Sequence, residues 1–477
     1  MRLAPLQVLS DGELEQIHQA SLTLLETCGV KILNRRILSF LKDRGLSTRP
    51  DDGEAVVFSR NCVEAALASV PRTFEVFDRD GKSAFVLGDG TARIAAGHNA
   101  VFWVDPETRE TRESKVADVE HFARICEQLP NIDVLGIPVM PQDVADRANS
   151  LLYGVKACIE NSRKPLFFST DNPGVNRRII EMLRAVFRGK LEHQPYGIAQ
   201  LSPTSPLFWE GPVLDALQET VERNVPLAIL PEPNAGVSAP YTLAGLLTVN
   251  NAECLSGIVI AQLLRPGAKV LYANSWTTTD MRKGYVLVGS VETSLCRIAG
   301  AQLARFYRVP CHTTAPNSDN HAHDEQNAWE KTLSLMGAVG AGNDLIVNCG
   351  MFATGMTCSH EQLLMDEEMA GMCRRLAEGL EVNEATLAVD LIREIGPRGT
   401  GYLTAPHTLE RLRSREYFVP RLAVRGPRVL WEAEGSRDTY ELARQKAREL
   451  GAKATAALDG KRQAQLDAAL AAPAVNP

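Results

Sequence analysis

Chemistry-bearing side chains are densest over residues 317–330, which read NSDNHAHDEQNAWE. Alternate side chains of an extended segment project to one side, so His321 and His323 could share a ligand. With Asp319, His312 or Cys349 they could complete a zinc site, where the metal would activate a thiol, alcohol or amine as a Lewis acid. The same imidazoles could instead donate hydrogen bonds to a substrate. A third reading is structural. Asp324 stands where an N-cap belongs for the helical pattern EQNAWEKTLSLMGAVGA, and a capping Asp324 is lost to any metal.

Other reactive types are less promising. The chain has no GxSxG elbow and no HExxH motif. Cys349 and Cys358 flank Gly350, but a cysteine near a turn without a partnered base is a small hydrophobe. Glu253 and Glu292 fall inside helical segments and read as capping or buried ion-pair residues. Asp366, Glu367 and Glu368 read as the solvated face of a helix.

These residues need a scaffold, and the apolar patterning supplies one. Eight short apolar runs, each followed by a helical pattern, occur at 92–97, 133–139, 165–169, 196–202, 226–231, 269–275, 309–315 and 344–350. Fully apolar runs of this kind mark parallel strands buried on both faces. Eight such units fit an α/β fold, a (β/α)8 TIM barrel, whose usual size is about 250 residues. A doubly wound sheet is the alternative, though no GxGxxG or P-loop marks a phosphate crevice. The first run, within ARIAAGHNAVFWVD, could equally be a hairpin.

In such a barrel, chemistry sits at the C-terminal strand ends. Those ends carry His98 and Asn99, Gln142 and Asp143, Thr170 and Asp171, then Ser202, Thr204 and Ser205 with Trp209 downstream. Glu232 and Asn234, Asn274 to Trp276, residues 317–323, and Asn348 with Phe352 complete the set. Amides, hydroxyls and aromatics dominate, and the near absence of Lys and Arg disfavours a phosphorylated substrate. Ring faces would suit a quaternary ammonium. Substrate-binding candidates are therefore His98, Asn99, Trp209, Trp276, His321, His323 and Phe352, with no metal ligand assigned. Trp103, Trp209 and Trp276 could equally pack barrel against helices.

The flanks read differently. LSDGELEQIHQASLTLLETCGV opens with a capping box at Ser10 and Glu13, and residues 1–88 form a helical N-terminal cap with some β-like pieces. The barrel occupies 89–375 and a charged helical extension 376–477, ending in a disordered Pro-flanked tail. A net charge of −7 gives no footprint for nucleic acid. Ten scattered cysteines suggest reduced thiols and a cytoplasmic protein. No signal peptide is expected, nor any segment near the ~18 apolar residues that span a membrane. Large barrels commonly form homo-oligomers.

The segments SPTSPLFW, GVSAPYTLAGLLTVNNAECLSGIVIAQLLRPGAKVLYANS, DMRKG, GSVET, SDNHAHDEQNAWEK and SHEQLLMDEEM closely resemble the trimethylamine methyltransferase-like family. The resemblance runs over nearly the whole chain. It implies a (β/α)8 barrel enzyme that moves a methyl group from a methylated amine to the cobalt of a separate corrinoid protein. No tightly bound cofactor is implied beyond the corrinoid (cobalamin) on that partner. The archetype carries pyrrolysine; this chain has only standard residues and so resembles the non-pyrrolysine branch, typified by glycine betaine–corrinoid methyltransferase. A quaternary ammonium leaves as a neutral amine, so no acid must protonate it, and a carboxylate-bearing substrate would want donors such as His98, Asn99, His321 or His323. Relatives commonly carry Asp-Ser-Lys and Pro-Asp-Ala-Gln around the loop that here spans 318–326 and holds the His-Ala-His motif. Two alternatives stand: a zinc-assisted methyltransferase using His321 and His323 on another methylated substrate, and a non-catalytic onium-binding barrel.

Overall fold

The computed structural model describes residues 3–399, 401–455 and 457–472. The eight apolar runs are eight parallel strands: β1 (Arg93–Ala96), β2 (Val134–Gly136), β3 (Leu166–Ser169), β4 (Gly197–Leu201), β5 (Leu227–Ile229), β6 (Val270–Asn274), β7 (Cys311–Thr314) and β8 (Leu345–Cys349). They pair in chain order and close on themselves as β8 meets β1 through Ile346 opposite Ile94. The first run is thus a barrel strand, not half of a hairpin. Strands covered on both faces have no solvent side to present, which is why they read as largely apolar runs with few polar residues.

Helices ring the barrel. α1 (Asp11–Thr27) precedes it; α2 (Val116–Glu127), α3 (Ser150–Asn161), α4 (Pro173–Val186), α5 (Gly211–Glu222), α6 (Leu243–Leu264), α7 (Val291–Tyr307), α8 (Glu325–Gly340) and α9 (His360–Glu378) follow successive strands. α10 (Thr439–Gly451) packs on α9 and α2, and α11 (Gly460–Ala471) packs on α4.

The N-terminal segment is mixed rather than only helical. Its capping box is present, with Ser10 accepting from Glu13 N. The strand Val30–Ile32 pairs with Asp52–Val57 and with the outlying Phe208–Trp209. A hairpin of Phe74–Phe77 and Ser83–Leu87 places Phe74, Val76, Phe85 and Leu87 in one cluster with the inward residues Ala95, Val134, Phe167, Ile198, Leu271 and Leu345. Phe77 N donates to the Pro195 carbonyl, just before β4, so the hairpin seals the N-terminal end of the barrel.

Two expectations change. α6 is long and apolar enough, by length and composition, to cross a membrane. It is a core helix instead: most of it is buried, including Asn250, Asn251 and Glu253, and α1 lies across it. Asp366, Glu367 and Glu368 are buried, not solvated. α9 is sandwiched between α8 and the C-terminal segment, so a polar run on an outer helix is covered from both sides. Glu368 there accepts from the backbone N–H groups of Arg421 and Leu422. The expected disordered tail at 473–477 lies outside the described residues.

Candidate functional site at the C-terminal mouth of the barrel

His98 reaches the barrel mouth because the backbone before it is unusually tight. Gly97 has φ +83°, and a Cβ there would stand 2.7 Å from Pro138 Cα; a Cβ on Gly136 would stand 2.2 Å from the Gly97 carbonyl oxygen. Only glycine lets β1 and β2 end this close. Beyond them the His98 ring turns inward, edge-on to Phe167 at 5.4 Å. Asn99 adopts φ +58° and donates to the Ser169 carbonyl, tying the first strand end to the third.

Polar side chains line the wall. Gln200 of β4 stands between His98 and His312 of β7, 3.0 Å and 3.1 Å away. Asn348 sits at a bulge in β8 with φ +126°, a conformation side chains rarely adopt, and its amide meets His98 Nδ1 at 3.1 Å. Burial lowers the pKa of His98 to about 4 and that of His312 to about 3, so both imidazoles are neutral at physiological pH.

The opposite wall is acidic. Glu232 follows β5 and stays open to solvent, yet protein walls it closely. That desolvation, with the nearby Asp171 charge, pushes its carboxyl up to about 7 despite a hydrogen bond with Ser275. Asp171 is raised too, by burial and then by Glu210. Ser275 in turn meets the Thr314 hydroxyl at 3.0 Å.

The other sequence candidates do not converge here. Trp209 is fully buried, its indole N–H donating to Ser256 of α6, and Trp276 packs against Gly300 of α7; Trp103 is buried as well. Phe352 is buried beneath His323, with ring centroids 4.5 Å apart. His323 also faces Tyr440 of α10 at 5.0 Å and meets the Ser359 hydroxyl at 3.1 Å, so it docks the C-terminal helix. Burial lowers its pKa to about 4. His321 is exposed. Tryptophans just after strands turned outward because position along the chain does not fix which side of the strand end a ring takes.

The proposed zinc ligands are likewise dispersed. Asp319 accepts from the backbone N–H groups of Val288 and Gly289, His312 lies inside the barrel, and burial raises the Cys349 thiol well above its ordinary range. Among the described residues no three His, Cys, Asp or Glu side chains converge to hold a metal ion. Asp324 is the N-cap of α8, accepting from Gln326 and Asn327 N. Glu253 is a buried acceptor for Ser205 Oγ and Leu207 N, each at 2.8 Å; Glu292 is exposed in the first turn of α7.

Sequence reasoning did not single out Gln200. Its signal was a lone amide within the apolar run YGIAQLS, as His312 is a lone imidazole within VPCHTTA. A polar residue facing a barrel interior is costly unless partnered, and both are partnered.

Known proteins share this architecture. The chain is 31% identical over 441 residues to a trimethylamine methyltransferase of Desulfitobacterium hafniense, covering 92% of this chain and 88% of the relative. It is 30% identical to a glycine betaine methyltransferase of the same species, over 90% of this chain and 88% of the relative. The crystal structure of the Methanosarcina barkeri monomethylamine methyltransferase superposes with a TM-score of 0.54 at 12% identity, covering 92% of this chain and 87% of that one, which speaks to the fold. The family model described as "Trimethylamine methyltransferase (MTTB)" matches residues 1–472, and the chain belongs to that family.

Proposed function

We propose that this methyltransferase moves a methyl group from a quaternary amine of the glycine betaine type to the Co(I) of a corrinoid carried by a separate cognate protein. The observation that carries this reading is Glu232, a solvent-reachable carboxyl with its pKa raised to about 7, beside Asp171 in a mouth otherwise lined by amides, hydroxyls and neutral imidazoles. A permanent cation placed beside it would favour the carboxylate and be held by it. Two relatives are named for trimethylamine and glycine betaine, which supports a methylated nitrogen as the group recognised.

The residues present suit a corrinoid held by another protein. Both ring nitrogens of His98 and of His312 are engaged in hydrogen bonds, so neither imidazole is a spare cobalt ligand. The reduced corrinoid supplies the nucleophile that accepts the methyl group. This chain positions the donor: Glu232, steadied by Ser275, holds the ammonium end, and the His98–Gln200–Asn348 wall limits its rotation. A quaternary ammonium departs as a neutral amine, so imidazoles kept neutral by burial are no handicap. His98 and Asn99 remain the sequence candidates best placed for contact, and the sealed N-terminal end keeps water out from below.

Ten free cysteines suit a reducing compartment, and we assign the enzyme to the cytoplasm. We also assign it to a homo-oligomer: Leu380, Val382, Leu403, Tyr417 and Val419 are each more than 70% exposed, an apolar display that self-association would cover. The experiment is direct. Enzyme, reduced corrinoid protein and a panel of betaines, carnitine and choline should produce the methyl-cobalt absorption spectrum with at least one substrate; silence across the panel overturns the reading.

A further inference from the structure

One chain of hydrogen bonds crosses the barrel interior. It starts at the Leu345 carbonyl, 3.1 Å from His312 Nδ1. His312 Nε2 meets Gln200 Oε1 at 3.1 Å, and Gln200 Nε2 meets His98 Nε2 at 3.0 Å. His98 Nδ1 meets Asn348 Oδ1 at 3.1 Å, and Asn348 Nδ2 donates to Asn317 Oδ1 at 2.8 Å. Asn317 Nδ2 ends the chain on the Thr314 carbonyl at 3.0 Å. Five side chains therefore make six links between two backbone carbonyls.

The proton count does not balance. Along the chain each neutral imidazole and each carboxamide contributes one donor and one acceptor. Both terminal carbonyls only accept. Six links share five protons, whichever tautomers the histidines take and whichever way the amides are turned; flipping Gln200 or Asn348 moves the gap without closing it. One added proton completes all six links, either on His312 with the amides as they stand or on His98 with Gln200 turned to present its Oε1 to that ring.

In the resting protein burial opposes that proton, and both imidazoles are neutral. The groups facing the pair are the Phe167 ring, 5.4 Å from His98 and 5.3 Å from His312, the Ser169 hydroxyl beside Gln200, and each other. No carboxylate is among the groups that shift either one. What is missing is a negative charge. His312 is wholly buried, whereas His98 is partly open to the mouth and can meet one.

We propose that the His98–Gln200–His312 chain is a proton-coupled anion site, where a carboxylate entering the mouth binds at His98 and draws one proton onto the imidazole from solvent. The anion stabilises the imidazolium by charge alone, because both its N–H groups are committed to Gln200 and Asn348, and the imidazolium completes the six-link chain behind it. In an eight-stranded ring the ends of β1 and β5 stand opposite, so His98 and Glu232 face the two ends of a zwitterion. Identifying the anion as the carboxylate of a betaine rests on the function proposed above; the proton balance does not.

The test uses the full chain and 3,3-dimethylbutyrate, in which a tert-butyl group replaces the trimethylammonium of glycine betaine. Titration calorimetry at pH 6, repeated in buffers of different ionisation enthalpy, counts the protons exchanged. Glu232 is already mostly protonated there and contributes little. The expected result is about one proton taken up per ligand, and none in His98→Gln, whose amide preserves the chain but cannot be protonated. Nitrogen-15 spectra of histidine-labelled wild type give a reading independent of that variant: both ring nitrogens of one histidine should become protonated on binding. Failure to bind at millimolar concentration, binding without proton uptake, or uptake undiminished in His98→Gln overturns the proposal. Absence of methyl transfer from every betaine, with proton uptake intact, would overturn only the function proposed above.

Discussion

Lys331 Nζ lies 2.8 Å from Asp366 Oδ2, and solvent reaches neither side chain. The same carboxylate oxygen accepts from Gly350 N at 2.7 Å, and its other oxygen accepts from Gln362 Nε2 at 2.8 Å. Lys331 also faces the Pro316 carbonyl at 3.4 Å. One ion pair thus braces the turn that follows Asn348 and β8 against the loop after β7 that carries Asn317.

Removing half of a buried pair strands the other charge. Asp366→Ala should cost about 3–5 kcal/mol in urea denaturation, whereas Lys331→Met combined with Asp366→Leu should recover most of that loss. If the single and double variants prove equally destabilised, the brace is not acting as a pair.

Glu232 gives the mouth a pH signature for cations. A carboxyl with its pKa raised to about 7 is ionised above that pH and neutral below it. Choline, which has no carboxylate, should bind about tenfold more weakly at pH 6 than at pH 8, since one unit below its pKa about a tenth of the group is ionised. Glu232→Gln should bind weakly at both values, and a pH-independent wild type would refute the assignment.

A betaine carries both charges, and the two ends have opposite proton linkage. On the two proposals above, its ammonium end expels a proton from Glu232 and its carboxylate end draws one to His98. Its affinity should therefore change less than about threefold between pH 5.5 and 7, where choline weakens on acidification. Affinity measured across that window distinguishes the two patterns.

Glu253 links stability to pH. Its folded pKa is raised by burial to about 7, above the ordinary 4.5, so the folded state holds the extra proton between those values and loses stability as pH rises through the window. Glu253→Gln escapes this penalty. Relative to wild type, the variant should gain about 2–3 kcal/mol between pH 5 and pH 8, read by urea denaturation at each pH.

His323, between Phe352 and Tyr440, is expected to hold the C-terminal helix rather than ligand. His323→Ala should cost about 1–2 kcal/mol and expose the segment before α10 to proteolysis, with choline affinity unchanged. A loss of affinity without added proteolysis would return His323 to the binding site.

The barrel was legible because strands covered on both faces must be apolar; every one of the eight runs is a barrel strand. The polar residues were legible only as positions. His98 and Asn99 follow β1 under glycine constraints that leave little choice, so their place at the mouth could be anticipated. Trp209 and Trp276 also follow strands, but nothing in the local pattern sets which way their rings turn, and both turned outward. Asp366 looked solvated because its partner, Lys331, lies on another helix, and Glu368 because the backbone that covers it lies more than fifty residues further on. Long-range pairing of this kind leaves no trace in periodicity.

The hairpin that carries Phe74 and Phe85 makes the barrel a vessel with one opening. On the function proposed above, whatever reaches Glu232 arrives through the same doorway by which the demethylated amine departs. A partner protein that presents its reactive group at that doorway also blocks it. Turnover would then be a matter of sequence: amine in, partner on, partner off, amine out, with the hairpin imposing the order from the far end of the molecule.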